Sequence, residues 1–258
     1  MRGYIFDLDG TVYLGDRMID GAAEAIRTLR DRGDRVVFLS NKPIATRESY
    51  VKKLTAMGIP VTLDEVLNSS QIVAEYLQSR VRDGESVYVI GEDLIMEELN
   101  RHQIPITDDS ERAQYIVLSW DRQFTYDKLN IAFQAMLRGA QIIASNPDAT
   151  CPLDNGQLPD TGTFIAALEV ATGRSIDVVA GKPSLMAAEA ARKHLGLPSN
   201  QIFMVGDRLE TDIKMGNDAG MNSVLVLTGV GTREMAENGP FRPKFIVDSI
   251  KDVVHLIP

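Results

Sequence analysis

Tyr4-Ile5-Phe6-Asp7-Leu8-Asp9-Gly10-Thr11 is the stretch that decides the fold. Three large apolar residues, aromatic or β-branched, predict a short buried strand. Asp and Gly are poor strand residues, so the strand is expected to stop about Asp7. Two carboxylates spaced i and i+2, and a tight Gly turn, then stand at the carboxyl end of that strand. In an open α/β sheet, ligands bind at this edge. Taken alone, the stretch also fits a plain strand-to-loop junction with solvated acids, so the decision passes to the rest of the chain.

Working outward, a helix is predicted over 22–32, with Ala25, Ile26 and Leu29 on one face and Gly33 as its stop. Arg35-Val36-Val37-Phe38-Leu39 reads as a second buried strand. Strand, helix and strand with short connections make a right-handed βαβ unit, which brings Ser40 to the same sheet edge as Asp7. Helices are predicted over 46–57 and 69–82, joined by a short connection at Val66-Leu67. The charged run Arg80-Val81-Arg82-Asp83-Gly84-Glu85 marks a boundary. Beyond it, strands over 87–90, 115–118 and 141–144 alternate with helices over 94–102 and 126–138, as in a second α/β unit. A turn-rich stretch over 146–162 and a helix over 163–172 complete that unit. Val178-Val179-Ala180-Gly181-Lys182-Pro183-Ser184 is the second boundary. The first pattern then resumes, with strands over 201–205, 223–227 and 245–247, helices over 185–194 and 211–219, and a C-terminal helix. The expected architecture is a Rossmann-like α/β core over 1–83 and 179–258, with a parallel sheet and helices on both faces. A smaller α/β domain over 84–178 is inserted into it.

The composition is that of an ordinary globular protein, 44% hydrophobic and 24% charged over 258 residues. The net charge of −9 gives an acidic surface that repels nucleic acid and anionic membrane, so neither is an expected partner. The single Cys151 allows no internal disulfide and fits a reducing cytosol. It lies in a turn-rich, acidic stretch without a nearby His and reads as an ordinary loop residue. Met1-Arg2 runs straight into the first strand, with no signal peptide, and no apolar run approaches the ~18 residues that cross a bilayer. The expected location is the cytoplasm.

Further chemistry-bearing residues fall where strands end. Ser40 offers a hydroxyl beside backbone N–H groups that can cradle an anion. Lys182 sits between Gly181 and Pro183, and Asp207 follows a strand and Gly206. Asp212 comes five residues later, at the start of a helix. Singly, these read equally well as a turn residue, a surface lysine and a helix cap. Jointly, acids after two different strands would make a negative cluster that is costly without a cation. All-oxygen donors suit hard Mg²⁺ rather than zinc, and a lysine with a Ser–N–H cradle suits a phosphate dianion. The combination points to phosphoryl transfer by positioning and electrostatics.

Asp7-x-Asp9-Gly10-Thr11, Ser40, Gly181-Lys182-Pro183 and Gly206-Asp207-x-x-x-x-Asp212 resemble the four motifs of the haloacid dehalogenase superfamily, in order and along the whole core. More narrowly, the chain resembles its NagD-type and 4-nitrophenylphosphatase-type members. That resemblance is carried by the loop over 14–21, Leu39-Ser40-Asn41, the stretch over 119–126, Ser145-Asn146-Pro147-Asp148 and Gly229-Val230-Gly231-Thr232-Arg233-Glu234. It implies that Asp7 is the nucleophile that becomes an aspartyl-phosphate and that Asp9 is the general acid and then base. It implies that Ser40 and Lys182 bind phosphate, and that Asn41 fixes the loop or the phosphate. Mg²⁺ would be held by Asp7, the Asp9 carbonyl and Asp207, with Asp212 orienting from behind or binding through a water. An acid at position 9 favours an alkoxide leaving group over a halide, hence phosphatase or phosphomutase over dehalogenase. The insertion resembles a C2-type cap, which in such proteins covers the pocket and selects the leaving group. Its stretch over 146–162 is the candidate substrate loop.

Two residues depart from the pattern of these relatives. Lys42 stands where they commonly have Asn, and Asp160 where they often have Gly. The expected function is a Mg²⁺-dependent phosphomonoesterase acting on small organic phosphates, such as sugar phosphates, nucleoside monophosphates or aryl phosphates. The resemblance admits a homodimer through the cap. The alternatives are a phosphotransferase using the same aspartyl-phosphate, a phospho-accepting regulatory domain, and a catalytically inert binding protein.

Overall fold

The computed structural model describes residues 1–42, 45–153 and 156–256. The chain opens with β1 (Gly3–Phe6), a small hairpin of β2 (Tyr13–Leu14) and β3 (Arg17–Met18), helix α1 (Ala22–Asp31) and β4 (Arg35–Ser40). Helix α2 (Arg47–Ala56), strand β5 (Val66–Asn68) and helix α3 (Ser69–Gln78) follow. Next come β6 (Ser86–Ile90), α4 (Asp93–Arg101), β7 (Ala113–Leu118), α5 (Tyr126–Leu137) and β8 (Gln141–Ala144). The hairpin β9 (Thr150–Leu153) and β10 (Gly156–Pro159) leads to α6 (Thr161–Thr172) and β11 (Val178–Val179). The last stretch holds α7 (Leu185–Leu195), β12 (Ile202–Gly206), α8 (Lys214–Asp218), β13 (Asn222–Val226), α9 (Arg233–Asn238) and β14 (Phe245–Val247).

The chain divides into two compact units. The first comprises Met1–Ser40, Arg47–Leu67 and the chain from Lys182 on. Its six-stranded sheet has the order β14-β13-β12-β1-β4-β5. β1 pairs in parallel with β12 on one side and with β4 on the other. The chain thus winds outward in one direction from β1 through β4 to β5, and in the other from β12 through β13 to β14. The direction reverses between β1 and β12, which is where an open α/β sheet forms its ligand crevice. Central strands buried on both faces need unbroken apolar runs, and β1, β12 and β13 are buried along their whole lengths. Aromatic rings tie the middle of the sheet. Tyr4 stands opposite Phe203 in register with ring centroids 5.1 Å apart, and Phe6 opposite Phe38 at 6.2 Å. α1 forms because Ala22, Ala25, Ile26 and Leu29 make one buried stripe, and it stops where Gly33 takes φ +79°. α7 is bracketed by Ser184, whose Oγ accepts from the Ala187 N–H, and by left-handed Gly196.

The second unit comprises Asn41–Thr46 and Asn68–Gly181. Its sheet has four parallel strands in the order β11-β8-β7-β6. Ile90, Ile116, Leu118 and Ile142 pack with Ala132 and Met136 of α5 and with Phe164 and Leu168 of α6. Phe124 stacks on Phe164 at 4.4 Å.

Several details differ from expectation. The first boundary lies at Leu67/Asn68 and not at 83/84, because α3 buries Ile72, Val73, Ala74 and Leu77 and packs with α4. Residues 82–84 are then an exposed turn inside the second unit. Val66-Leu67 is not a bare connection but part of edge strand β5. The turn-rich stretch over 146–162 contains the antiparallel hairpin β9–β10, and Cys151 is buried in it. Asp154 and Asn155 of that stretch, and Pro43 after Lys42, lie outside the described residues. The C-terminal helix is a 3₁₀ segment, Ile250–His255.

Replacing Phe203 by Ala removes a fully packed ring between Tyr4 and Phe245. It is expected to cost the first unit about 3–5 kcal/mol, read as a lowered urea midpoint, with the second unit's transition unmoved.

Candidate active site at the carboxyl ends of β1 and β12

Asp7 is the first residue past β1, and its N–H still donates to the Val205 carbonyl of β12 at 2.9 Å. Its backbone is therefore part of the sheet while its side chain faces the crevice. Gly10 completes the turn at φ +95°, and its N–H donates to the Tyr13 carbonyl at 2.7 Å. A Cβ at Gly10 would lie 2.6 Å from Asp207 Oδ2, so glycine is required both for the conformation and for the close approach. Asp9 lies in the same turn and is more exposed than Asp7.

Asp207, directly after β12, is 1% exposed. Its Oδ2 accepts from the Val230 N–H at 2.7 Å and its carbonyl accepts from the Gly231 N–H at 2.8 Å. A Cβ on Gly229 would stand 2.0 Å from Oδ2, and one on Gly231 would stand 2.5 Å from the Asp207 carbonyl. The Gly-x-Gly loop after β13 is thus a cradle for this one carboxylate. Thr228 extends it by donating from Oγ1 to the Gly10 carbonyl at 2.6 Å. Asp207 Oδ1 is buried and has no hydrogen-bond partner among the described residues.

Asp212 lies in a π-helical turn, Leu209–Ile213, which widens the chain just after β12. The turn carries the Asp212 side chain back under Gly206, where a Cβ would be 2.2 Å from the carboxylate carbon. Asp212 Oδ2 accepts from the Arg208 N–H at 3.1 Å. Its Oδ1 accepts from Lys182 Nζ at 2.7 Å, and Lys182 Nζ also donates to Asp7 Oδ1 at 2.5 Å.

Asp7, Asp207 and Asp212 have carboxylate oxygens within 4.8 Å of one another. Burial raises the Asp7 pKa, with Asp212 adding to the rise and Lys182 opposing it. Burial also raises that of Asp207, helped by the charges of Asp7 and Asp212. Burial works against the charge on Lys182, but Asp212 and Asp7 outweigh it and hold the ammonium above its ordinary range. One cation among three buried acids leaves a negative excess. The donors are all oxygens, one of them is an unpaired buried carboxylate oxygen, and glycines keep side chains away from it. That set fits a hard divalent cation.

Ser40 is the last residue of β4 and is buried, with its Oγ 3.1 Å from the Tyr50 hydroxyl of α2. Burial pushes the Tyr50 phenol up to about 12, so it meets Ser40 as a neutral hydroxyl. Asn41 falls in the second unit, where its Nδ2 donates to Asp148 Oδ2 at 3.3 Å. Asp160 has a structural task. Its Oδ1 accepts from the Thr161 N–H at 2.6 Å and from Thr161 Oγ1 at 3.0 Å, so it caps α6 and starts that helix two residues early.

Tyr50 and the Val230 N–H did not emerge from the sequence as site components. Tyr50 reads as one more buried aromatic of an amphipathic helix, and a backbone donor has no residue-type signature. The glycines at 229 and 231 were the available signal.

The raised pKa values of Asp7 and Asp207 mean that the metal-free folded state favours their protonated forms. That stability is fully present below the unfolded carboxylate range, about pH 4, and is lost as pH rises through the raised values. A bound cation needs the ionised forms. Mg²⁺ is therefore expected to raise the thermal midpoint more at about pH 8 than at about pH 5.5, against an EDTA control. An equal or larger shift at the lower pH contradicts this. Gly229→Ala, which drives a methyl into Asp207, is expected to abolish most of the Mg²⁺-dependent shift at either pH.

A haloacid dehalogenase-like hydrolase family model matches residues 4–105, and a HAD-hydrolase-like model matches residues 179–253. The chain is 39% identical to the sugar-phosphatase AraL of Bacillus subtilis over 98% of its own length and 92% of that protein's. Among solved structures it is similar to a p-nitrophenyl phosphatase from Archaeoglobus fulgidus, with a TM-score of 0.93 and 33% identity over 99% of both chains. It is also similar to a glycerol phosphate phosphatase from Mycobacterium tuberculosis, solved in complex with magnesium. The TM-score there is 0.89 at 29% identity, over 98% of this chain and 76% of that one.

Proposed function

The chain belongs to the haloacid dehalogenase-like hydrolase family, in its NagD-like branch, and is a phosphatase; on that premise we propose that it is a Mg²⁺-dependent phosphomonoesterase working through an aspartyl-phosphate on Asp7. The observation that carries the reading is the buried trio Asp7, Asp207 and Asp212 arranged around Lys182.

Asp7 attacks phosphorus with a carboxylate oxygen, and the P–O bond to the leaving group breaks. Asp9 gives its proton to the departing alkoxide. Asp9 then takes a proton from water, the hydroxyl adds to phosphorus, and the P–O bond to Asp7 breaks. Inorganic phosphate leaves and both carboxyl groups return to their starting states. Lys182 neutralises charge on Asp7 and on the phosphoryl oxygens, and Asp212 holds the ammonium in place. Ser40 bonds the phosphate from the end of β4. Asp7, Asp207 and the Asp9 carbonyl would hold Mg²⁺, with Asp212 bonded to Lys182 and the Arg208 N–H behind them. When bound, the cation screens the repulsion between the attacking carboxylate and the phosphate dianion.

The substrates are small organic phosphates. Sugar phosphates head the panel, because the B. subtilis relative carries the name sugar-phosphatase. Selection among leaving groups is assigned to the inserted unit, Asn68–Gly181. The workplace is the cytoplasm, in keeping with the single cysteine; among the described residues no helix is long and apolar enough to cross a membrane.

A phosphate-release screen over sugar phosphates, nucleoside monophosphates and 4-nitrophenyl phosphate is expected to show turnover with Mg²⁺ and to lose it with EDTA. Asp7→Asn is expected to cut kcat by about a thousandfold or more at an unchanged fold. Undiminished phosphate release by that variant would sink the mechanism.

A further inference from the structure

Ser40 and Lys182 are each one peptide bond away from residues gripped by a single polar network. Ser40 precedes Asn41, and Lys182 follows Gly181. The Asn41 carbonyl accepts from Ser69 Oγ at 2.9 Å and from Asn146 Nδ2 at 3.4 Å. The Asn41 amide donates to Asp148 Oδ2 at 3.3 Å. Asn146 and Asp148 also brace each other, since Asn146 Oδ1 accepts from the Asp148 N–H at 3.0 Å. On the other strand end, the Gly181 N–H donates to the Ser145 carbonyl at 2.9 Å. A Cβ on Gly181 would stand 2.5 Å from that carbonyl oxygen and 2.6 Å from Asn41 Oδ1. The Asn41 amide, the Ser145 backbone and Gly181 are therefore in direct contact, with no room for a side chain at 181. Ser69, Ser145 and Asn146 are almost fully buried, so these bonds hold one arrangement.

We propose that Asn146 and Asp148 are positioning residues for phosphate binding. They clamp Asn41 against Gly181 and so set the two backbone points from which Ser40 and Lys182 reach the phosphate. The inference rests on the phosphate-binding roles assigned above to Ser40 and Lys182. It gives a task to Ser145-Asn146-Pro147-Asp148, and it assigns Asn41 to fixing the loop and not to touching the phosphate. A displacement of about 1 Å at either anchor is enough to weaken a ligand held by both.

The test compares wild type with Asn146→Ala, Asp148→Ala and Asp148→Asn, using 4-nitrophenyl phosphate as substrate and inorganic phosphate as competing product at saturating Mg²⁺. Both alanine variants are expected to raise KM and the phosphate inhibition constant together, by about tenfold. Asp148→Asn keeps an oxygen acceptor for the Asn41 amide and is expected to recover to within about threefold of wild type. Gly181→Ala presses on Asn41 from the other side and is expected to behave as the alanine variants do, which keeps the test decisive if either of them fails to fold. Arg138→Ala, elsewhere in the second unit, is expected to change neither constant. Folded variants with a lowered thermal midpoint but with KM and inhibition constant within about twofold of wild type overturn the clamp and leave the phosphatase reading standing. A wild-type protein that neither hydrolyses the ester nor binds phosphate overturns the phosphate reading itself, and the clamp with it.

Discussion

One ammonium group shared between two buried carboxylates organises this molecule. Lys182 Nζ bonds Asp7 and Asp212 at once, setting one positive charge between two buried carboxyl groups. The pairing also decides which acid is left over. Asp207 is paired with a backbone amide on one oxygen only, and its other oxygen is buried and unpartnered. An imbalance of this kind stores a demand for positive charge at one atom. The surrounding glycines prevent the demand from being met by a side chain. Small residues here are as much a part of the electrostatics as the acids are, because they keep the position open.

The sheet explains why these groups can meet at all. Asp7 and Asp207 sit at the ends of adjacent parallel strands, so their spacing is set by the ladder between β1 and β12. Asp212 is brought in by a π-helical turn, a local widening that an ordinary helical start would not provide. The acids are thus mounted at the ends of strands buried along their whole lengths.

Much of this was legible in the sequence for a plain reason. A run of apolar residues that ends abruptly in Asp announces both a buried strand and the end of it, and β1 and β12 carry that signal at Phe6-Asp7 and Gly206-Asp207. What was not legible had no such contrast. Helix α3 shows an amphipathic face, but amphipathicity does not say which neighbour the face will meet, so its unit was misassigned. Strand β5 offers only two apolar residues, and β9 and β10 carry Pro or Gly, so none of them shows a strand pattern. Asp160 shows how residue type misleads without geometry. An acid in a turn-rich stretch had no role that its type could assign, while the Thr161 beside it was the sign of a cap.

The β1–β12 pairing has a consequence for how the protein is made. Residues 3–6 leave the ribosome well before one of their two neighbours, residues 202–205. Between them lies Asn68–Gly181, which has its own sheet and its own hydrophobic core. Domains generally fold as they emerge, so the inserted unit is complete while one edge of β1 still waits for its partner. During that interval an apolar strand stands with a row of unpaired backbone groups, the kind of edge that recruits other chains. The nascent polypeptide is most exposed to misassembly at the stage when Asp7 already exists but Lys182, Asp207 and Asp212 have not yet been synthesised.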